Sequence, residues 1–432
     1  MAEAVPSPGG GRATIKRTPA SPAVRPSYDP GPAPLRAHPS TADWRTLTRD
    51  LRVAIVHYWL IASRGGEKVL ECLLDLFPNA DIFTHVYDPS ASPSRLGGHR
   101  VRETFIGRLP RARRWYKYYL PLMPMALEQL DLRGYDLILS SESGPAKGII
   151  PPVGSTHICY CHTPMRYIWN MYHDYLLYAT MVPRFLLPWV AHRLRQWDVT
   201  SAARVDQFVA NSHATACRIR RYYSRDAIVV HPPVDVDAFQ PSDQIGDYFL
   251  YVGELVAYKK PDIAVEACNR LGVPLVVIGG GEMLDELRRL AGPTVRILGW
   301  QPFDTLRDYL RRCRALVFPG EEDFGIVPVE ALACGRPVVA LGRGGALETV
   351  GLAPGCVLYD DPSVEGLVEA LRHSLASPPP PPGSLVEIAR LFGRDRFLRE
   401  MQQVVVDALY SPARVPSRTE SRPAGNPLAS VA

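Results

Sequence analysis

Two glutamates eight residues apart flank the start of a predicted helix in FPGEEDFGIVPVEALACGRPVVA, residues 318–340. Glu322 lies in a loop after a strand-like run, and Glu330 lies in the first turn of a helix that we expect to end at Gly335. A helix N-terminus carries partial positive charge and exposed amides, so it attracts phosphate as well as carboxylate. Two carboxylates beside such a helix end therefore suggest a ligand that carries both phosphate and hydroxyl groups.

The backbone amides at this helix end belong to Gly325, Ile326 and Val327, and Pro328 follows them in the first turn. We expect these amides to bind a phosphate group, with the two glutamates bordering the same ligand. The alternative is that the two acids only cap the helix and complement its macrodipole.

A second charged loop lies in LYVGELVAYKKPDIAVEA, residues 250–267, where Lys259 and Lys260 stand between a strand and a helix that a proline opens. A lysine in such a loop supplies a compact positive charge for a diphosphate. The alternative is a solvated lysine pair. The glycine turn VVIGGGEMLDEL, which contains Gly280, is a further candidate for donor binding, although any Rossmann-like turn has this pattern.

The first half of the chain carries two candidate loops of its own. Gly65 and Gly66 in ASRGGEKVL (residues 62–70) stand between a strand and a helix, where glycines let backbone approach a ligand closely. In the string CHTPMRYIW, His162 follows directly on a strand end, and Arg166 is a candidate for a phosphate of donor or acceptor. The alternatives are an ordinary tight turn and a structural turn histidine.

A metal site is conceivable at His157, Cys159 and Cys161, which share one face of a predicted strand with His162 just beyond it. A buried strand is the favoured interpretation because no second pair of ligands lies nearby in the sequence. The eight cysteines are scattered without a CxxC pair, which fits structural thiols in a reducing cytoplasm. The cysteine pattern therefore predicts a cytoplasmic protein. No DxD motif ends a strand, so we also predict that the protein has no metal cofactor.

The segment RLPRARRWYKYYLPLMPMALEQL, residues 108–130, mixes cations with aromatic side chains. Cations attract anionic lipid by about 1 kcal/mol each, and aromatic rings settle at the membrane interface. The segment is therefore either a peripheral membrane face that meets lipid-linked acceptors or a solvated helix face with core aromatics. No recognisable RNA-binding module accompanies it, so nucleic acid is not an expected partner. Its cations and rings are Arg108, Arg111, Arg113, Arg114, Lys117, Trp115, Tyr116, Tyr118 and Tyr119.

Short apolar runs alternate with amphipathic helical runs along the chain, which predicts parallel sheets covered on both faces. Two such sets meet near residues 231–239, so the predicted fold is α/β with two Rossmann-like domains facing across a cleft. The predicted domains are 49–235, completed by a C-terminal helix at 385–410, and 236–384. The predicted strands are 51–57, 81–87, 135–141, 157–161, 207–211 and 227–231, then 248–253, 274–279, 295–299, 315–320, 336–341 and 356–359.

Length and composition agree with two domains and two tails. The chain has 432 residues, 46% hydrophobic and 22% charged, with a net charge of +5 that favours no charged partner. Residues 1–48 and 411–432 lack apolar periodicity, and we predict that they are disordered. The most apolar long stretch, YLLYATMVPRFLLPWVAH, is interrupted by prolines and an arginine, so no membrane span is predicted. The N-terminal residues contain no apolar core of the kind a signal peptide has, so no signal peptide is predicted.

The stretch EEDFGIVPVEALACGRPVVA resembles the E-x7-E signature of the retaining glycosyltransferases of family 4, which have the GT-B fold. The resemblance extends in order over residues 51–410. It implies that Glu330 holds the nucleotide ribose and that Glu322 faces the transferred sugar. It also implies that the amides after Phe324 contact sugar and diphosphate, and that Lys259 contacts the diphosphate.

The same resemblance implies roles for other loops and marks one departure. Trp300 and Gln301 in ILGWQPFDTL match the base-contacting position, and His162 matches a histidine near the transferred sugar. The glycine pair of RGGEK would face the diphosphate or the acceptor. Glu254 stands where the family usually has arginine, which leaves open whether Lys260 supplies the second cation of the diphosphate clamp.

The string CHTPMRYIW is most similar to a subgroup whose donor is usually GDP-mannose. The expected activity is hexosyl transfer with retention, most simply mannosyl from GDP-mannose, to a glycan or lipid-linked glycan at the inner face of the plasma membrane. The alternatives are a UDP-sugar donor and, because of Glu254, an inactive sugar-nucleotide-binding partner. A dinucleotide oxidoreductase is disfavoured because no GxGxxG follows the first strand.

Overall fold

The computed structural model describes residues 44–62, 65–92, 94–178 and 181–410. Its strands form two sheets. The first sheet contains β1 (Val53–His57), β2 (Asp81–Thr84), β3 (Val101–Glu103), β4 (Leu137–Glu142), β5 (Thr156–Cys161), β6 (Gln207–Ala210) and β7 (Ala227–Val229). The second sheet contains β8 (Phe249–Val252), β9 (Leu275–Ile278), β10 (Val295–Gly299), β11 (Ala315–Phe318), β12 (Val338–Leu341) and β13 (Val357–Tyr359).

Helices connect nearly all of these strands, as parallel pairing requires. None of the helices in the described ranges is long and apolar enough to cross a membrane. The helices are α1 (Trp44–Thr48), α2 (Gly65–Leu76), α3 (Ala112–Trp115), α4 (Met123–Glu128), α5 (Tyr172–Tyr178), α6 (Met181–Ala202), α7 (His213–Tyr223), α8 (Pro261–Leu271), α9 (Leu284–Leu290), α10 (Phe303–Arg312), α11 (Ile326–Ala333), α12 (Ala346–Thr349), α13 (Val364–Ala376), α14 (Pro382–Arg390) and α15 (Arg394–Tyr410).

Both sheets are parallel and share one strand order. The first runs β3-β2-β1-β4-β5-β6-β7, and the second runs β10-β9-β8-β11-β12-β13. In each sheet the order reverses between the first strand and the fourth, that is, between β1 and β4 and between β8 and β11. Ligands of such sheets bind beyond the strand C-terminal ends at this reversal. The loops that follow these four strands are therefore the ones to examine for function.

The predicted two-domain α/β fold is confirmed, and its cause is visible in the burial of the strands. All five residues of β1 and all four of β11 are buried, since helices cover both faces of each sheet. Two apolar clusters cover the two faces of the second sheet. The edge strand β3 was not predicted, because two of its residues are only partly buried, the third is exposed, and the segment carries no apolar run.

The prediction of one helix over residues 385–410 is wrong, because the structure has two helices there. α14 packs on α11 of the second domain, and the chain then turns at Phe392, which is buried in that domain's core. Gly393 forms an isolated bridge with Val234, and α15 continues onto the first domain. There the Phe397 ring lies 5.7 Å from the ring of Tyr160 on β5, so only α15 completes the first domain.

The prediction that residues 1–48 are a disordered leader is wrong at the C-terminal end of that range, because Trp44–Thr48 forms a short helix. Trp44 and Leu47 lie three residues apart and so share one helix face, a spacing too short to register as periodicity. The rest of the leader, residues 1–43, and the predicted tail 411–432 lie outside the described residues.

A fully buried charge cluster lies in the first domain beside the end of β4. The Lys147 ammonium lies 3.3 Å from Glu142 Oε1 at the end of β4 and pairs with Asp198 on α6. Asp198 also accepts hydrogen bonds from Trp169 Nε1 at 2.7 Å and Tyr223 Oη at 2.9 Å. Burial raises the pKa of Glu142 to about 7, although the Lys147 charge opposes that shift.

We expect Lys147→Met to destabilise the protein by about 3–5 kcal/mol, because it leaves two buried carboxylates without their cation. Urea unfolding followed by far-UV circular dichroism measures this as a lower midpoint. The control is Arg133→Met, which breaks the exposed pair of Arg133 with Asp131 and should leave the midpoint unchanged. Equal midpoints for the two variants would show that the buried cluster does not stabilise the fold.

Candidate functional site

The N-termini of two helices from different domains meet across the cleft. A Cβ atom at Gly65, the first residue of α2, would lie 2.6 Å from Ile326 Cδ1, the first residue of α11. Gly325 precedes α11 with φ of 83°, a left-handed conformation that glycine adopts without strain. Both helices thus direct their N-terminal amides and the positive ends of their dipoles toward the same space, an arrangement suited to an anion.

The loop before α11 is fixed in place by a second glycine loop. Gly345 N donates a hydrogen bond to Glu322 O at 2.9 Å. A Cβ atom at Gly344 would collide with the Glu322 carbonyl oxygen, and one at Gly345 would collide with Phe324 Cα. The backbone of the two loops is therefore in direct contact, and this contact holds the carboxylate of Glu322 at the cleft.

Each predicted glutamate is paired with a lysine. Glu322 Oε1 lies 2.9 Å from Lys259 Nζ within the second domain, and Glu330 Oε1 lies 3.2 Å from Lys68 Nζ on α2 of the first domain. Burial by itself lowers the pKa of Lys259, but the adjacent Glu322 carboxylate outweighs that effect and the net shift is upward. Lys259 therefore stays protonated at neutral pH and supplies a fixed positive charge.

Asp323 joins the two domains through further ion pairs. Its Oδ1 accepts a hydrogen bond from Arg166 Nη2 at 3.1 Å and pairs with Arg218 on α7. Arg218 also lies 3.2 Å from Glu321 Oε1. The first domain therefore presents cations to the same loop that carries the predicted donor glutamates.

The contacts made by Lys68, Arg218 and Asp323 were not predicted from the sequence. Lys68 lies within the RGGEK motif, three residues after Gly65, so both residues share one face of the helix. This spacing was the sequence signal that could have identified Lys68 as a residue facing the cleft. Glu348 was also missed as a domain contact. Its carboxylate accepts hydrogen bonds from His213 N at 2.9 Å and Ala214 N at 3.1 Å at the start of α7.

His162 lies at the strand end where it was predicted, beside the α2 glycines. Its Nε2 is 2.9 Å from Ser141 Oγ, and it lies 3.6 Å from the position of a Cβ at Gly66. Burial, together with the nearby His57, lowers the pKa of His162 to about 3. The imidazole is therefore neutral at physiological pH and can offer a hydrogen bond, but no charge.

Four other residues that were predicted to bind the sugar-nucleotide donor differ in their exposure and contacts. The Phe324 side chain is 3% exposed and stacks in the core, so only its backbone is free to meet a ligand. Trp300 is 75% exposed, and the neighbouring Gln301 uses its amide nitrogen to bond Leu298 O. A Cβ atom added at Gly280 would meet open space, whereas one at either neighbouring glycine would collide with the backbone of the loop after β8.

The residues around Glu254 show which side chain could supply a second cation, beside Lys259, for a diphosphate. The Tyr258 ring lies 5.9 Å from Lys259 Nζ and 5.8 Å from Arg166 Cζ, so these two cations flank one ring. Glu254 is exposed, and its charge acts on the same tyrosine. Lys260 is exposed and precedes α8 in a left-handed conformation. Arg166 is therefore a second candidate, with Lys260, for the cation beside Lys259.

The buried-strand interpretation of His157 and its neighbours fits the structure. His157 Nε2 lies 2.9 Å from Ser140 Oγ and its Nδ1 lies 3.1 Å from Arg204 O. Cys159 and Cys161 are buried thiols on the same strand. Among the described residues, no group of three or more histidine, cysteine, aspartate or glutamate side chains could hold a metal ion.

Solved structures share this pair of facing domains. Anabaena HepE in complex with UDP and glucose has a TM-score of 0.61 at 16% identity, covering 82% of this chain and 99% of that one. Sucrose-phosphate synthase from Thermosynechococcus elongatus also has a TM-score of 0.61, at 19% identity, covering 82% of this chain and 98% of that one. The likeness shows the fold, and the protein has the GT-B fold.

The sequence matches glycosyltransferase families in both domains. Residues 63–238 match the family described as Glycosyltransferase Family 4, and residues 237–391 match the one described as Glycosyl transferases group 1. Both halves of the chain are therefore similar to glycosyltransferases.

Curated relatives match only in part. One is the D-inositol 3-phosphate glycosyltransferase of Mycobacteroides abscessus, 34% identical over 170 residues, which are 34% of this chain and 37% of that protein. Another is D-inositol 3-phosphate glycosyltransferase 1 of Catenulispora acidiphila, 32% identical over 210 residues, 41% of this chain and 50% of that protein. The chain thus spans half or less of the length of these relatives.

The lowered pKa of His162 gives a prediction for titration. Because the folded-state pKa lies below the ordinary value of 6.5, this histidine favours the folded state above pH 6.5, and that contribution is lost as pH falls toward 3. We expect the imidazole C2 proton resonance that His162→Gln removes to keep a constant chemical shift from pH 5 to pH 8 in an NMR titration. An inflection between pH 6 and pH 7 would show that the residue is protonated in the cleft.

Proposed function

We propose that the protein is a retaining hexosyltransferase that uses a sugar nucleotide as donor. The observation that carries this proposal is the meeting of the α2 and α11 N-termini, with Lys259 and two carboxylates at the same place. In the proposed complex the amides of Ile326 and Val327 bind the diphosphate. Glu330 accepts hydrogen bonds from the ribose hydroxyls, and Glu322 faces the transferred sugar.

The proposed donor is GDP-mannose, on the strength of the CHTPMRYIW string. A UDP-sugar is the second candidate, because HepE, which shares the fold, was solved in complexes with UDP and with UDP-glucose. The exposed Trp300 is proposed to contact the base in either case, with Gln301 beside it. The first domain would then receive the acceptor, a glycan or lipid-linked glycan.

The proposed reaction breaks the bond between the sugar C1 and the diphosphate oxygen and forms a bond from C1 to the acceptor oxygen. The acceptor hydroxyl proton passes to the leaving phosphate oxygen, so the products are a glycoside and a nucleoside diphosphate. Negative charge on the leaving diphosphate is stabilised by the helix amides and Lys259, with Arg166 or Lys260 as second cation. Gly65 and Gly66 are proposed to allow the α2 amides to approach the same phosphates. Gly280 lies in the second domain, which is proposed to bind the sugar nucleotide. His162 offers a neutral hydrogen bond to a sugar hydroxyl.

Glu330→Gln should weaken nucleotide binding by about 10- to 100-fold, since it removes a charged acceptor of ribose hydrogen bonds. Thermal shift against GDP, UDP, ADP and their sugar conjugates measures this and identifies the base. A ligand at about 100 times its dissociation constant stabilises the wild type by about 2.7 kcal/mol. Glu266→Gln, on α8 of the same domain, is the matched control. Unaltered nucleotide affinity in Glu330→Gln would refute the ribose assignment.

Lys259→Ala is expected to lower turnover by about 100- to 1000-fold, because it removes a fixed charge that stabilises the leaving diphosphate. Release of nucleoside diphosphate is followed in a coupled assay with EDTA present, since the proposed mechanism requires no metal. Lys260→Ala and Arg166→Gln in the same assay show which residue acts as second cation. Wild-type turnover in Lys259→Ala would contradict the assignment. Tight nucleotide binding without any turnover in the wild type would instead support an inactive binding partner.

The protein is also proposed to visit anionic membrane surfaces from the cytoplasm through the segment 108–130. Arg108, Arg111, Arg114 and Lys117 are exposed there, as are the rings of Trp115 and Tyr118. Leu122 and Met125 continue the exposed surface at 40% and 48%. Interleaved cations and rings of this kind suit an interface with anionic lipid, where lipid-linked acceptors lie.

The double variant Arg114→Gln/Lys117→Gln should weaken binding to anionic vesicles by about 30-fold, because each cation contributes about 1 kcal/mol. Co-sedimentation with phosphatidylcholine vesicles, with and without phosphatidylglycerol, measures the partition. The matched control is Arg288→Gln/Arg372→Gln, which removes two exposed cations of the second domain. Binding that is equal in both double variants, or absent in the wild type, would refute the membrane face.

A further inference from the structure

One N–H group of the Arg166 guanidinium is buried without an acceptor among the described residues. Arg166 lies in the loop after β5, and its side chain is only 14% exposed. Its Nη2 donates to Asp323 Oδ1 at 3.1 Å, whereas its Nε is buried and has no hydrogen-bond partner in the part of the chain that the structure describes. Such a donor is unfavourable in the folded state, and an oxygen atom of a ligand would satisfy it. The position therefore indicates an anion beside Arg166.

Asp323 fixes this guanidinium at the edge of the proposed diphosphate site. Its Oδ1 also pairs with Arg218 and lies 3.4 Å from Thr163 Oγ1, so three side chains of the first domain converge on one oxygen atom. Asp323 is three residues before Ile326, the first residue of α11. Arg166 therefore reaches across the cleft to the loop that precedes the α11 amides, which are proposed to bind the diphosphate.

Arg166 also lies near the lysine that is proposed to stabilise the leaving diphosphate. Arg166 Cζ is 5.8 Å from the centroid of the Tyr258 ring, and Lys259 Nζ is 5.9 Å from the same centroid. Burial raises the pKa of Tyr258, and the negative charge of Glu254 adds to that shift, so a carboxylate of the second domain acts at the same place. A cation from the first domain offsets that carboxylate.

Lys260, the other candidate for the second cation, suits this role less well. It is exposed and precedes α8 with φ of 54°. Water and salt screen an exposed ammonium, whereas a largely buried guanidinium acts through a lower dielectric. A guanidinium also has five N–H donors, so Arg166 can bond Asp323 through Nη2 and a phosphate through Nε at the same time.

We propose that Arg166 contacts the β-phosphate of the sugar nucleotide and that Asp323 is its positioning residue. The β-phosphate carries the sugar, and Glu322, which is proposed to face that sugar, directly precedes Asp323. Lys259 of the second domain and an arginine of the first domain thus hold one diphosphate. The inference rests on the proposed function and deepens it by naming the residue that supplies the second cation and the residue that positions it.

The test compares the affinities of the full-length protein for GDP and GMP, and for UDP and UMP, by isothermal titration calorimetry. Only the diphosphates have a β-phosphate. Arg166→Gln should therefore lower the affinity for the preferred diphosphate by about 10- to 100-fold, and that for its monophosphate by less than about twofold. The matched control is Arg220→Gln, which breaks an exposed ion pair on α7 and should leave both affinities unchanged. An equal loss for the monophosphate would overturn the β-phosphate assignment.

A rescue variant separates the charge of Arg166 from a structural effect of its removal. Glu254→Arg in the Arg166→Gln background places a cation near Tyr258 from the second domain, and it should raise the diphosphate affinity by about tenfold. An affinity that stays at the level of Arg166→Gln would contradict the role of charge. If Arg166→Gln does not fold, Arg166→Lys takes its place. It keeps the charge but not the forked donors, and it should lower the diphosphate affinity about fivefold.

Asp323→Asn tests the positioning role. It should lower the diphosphate affinity about fivefold in the wild type and by less than about twofold in the Arg166→Gln background, because Asp323 acts through Arg166. Equal losses in the two backgrounds would refute that role. Wild-type diphosphate affinity in Arg166→Gln, or a larger loss in Lys260→Gln, would overturn the inference alone. A protein that binds none of the four nucleotides would overturn the proposed function and the inference with it.

Discussion

Two helix N-termini directed at one another are the constraint on which the architecture of the cleft depends. The positive ends of α2 and α11 approach so closely that only a glycine fits at position 65 beside Ile326 without a shift of that side chain. Positive ends at this distance repel unless negative charge lies near them. The chain supplies that charge locally with Glu322, Glu330 and, on the first-domain side, Glu67.

The acids of this region are in turn balanced by cations from both domains. Lys259 comes from the second domain, whereas Lys68, Arg166 and Arg218 come from the first. The pairs made by Lys68, Arg166 and Arg218 therefore cross the cleft and link the two lobes through charge. A diphosphate brings more negative charge than any one carboxylate, so it can draw the same cations toward itself.

The fold was predictable because parallel strands buried on both faces appear in sequence as continuous apolar runs, as in β1 and β11. The loop before α11 was predictable because Phe-Gly, a proline and flanking acids mark a helix start within a few neighbouring residues. Lys68 and Arg218 were not predicted, since their significance comes from residues more than a hundred positions away.

A crystal structure of the protein with a sugar nucleotide tests the central claim most directly. The account predicts the diphosphate between the first turns of α2 and α11, with its oxygens within hydrogen-bond distance of the Ile326 and Val327 amides. The ribose should meet Glu330, whose bond to Lys68 would lengthen as the lysine turns toward phosphate. A nucleotide bound elsewhere, with its ribose out of reach of Glu330, would contradict the account.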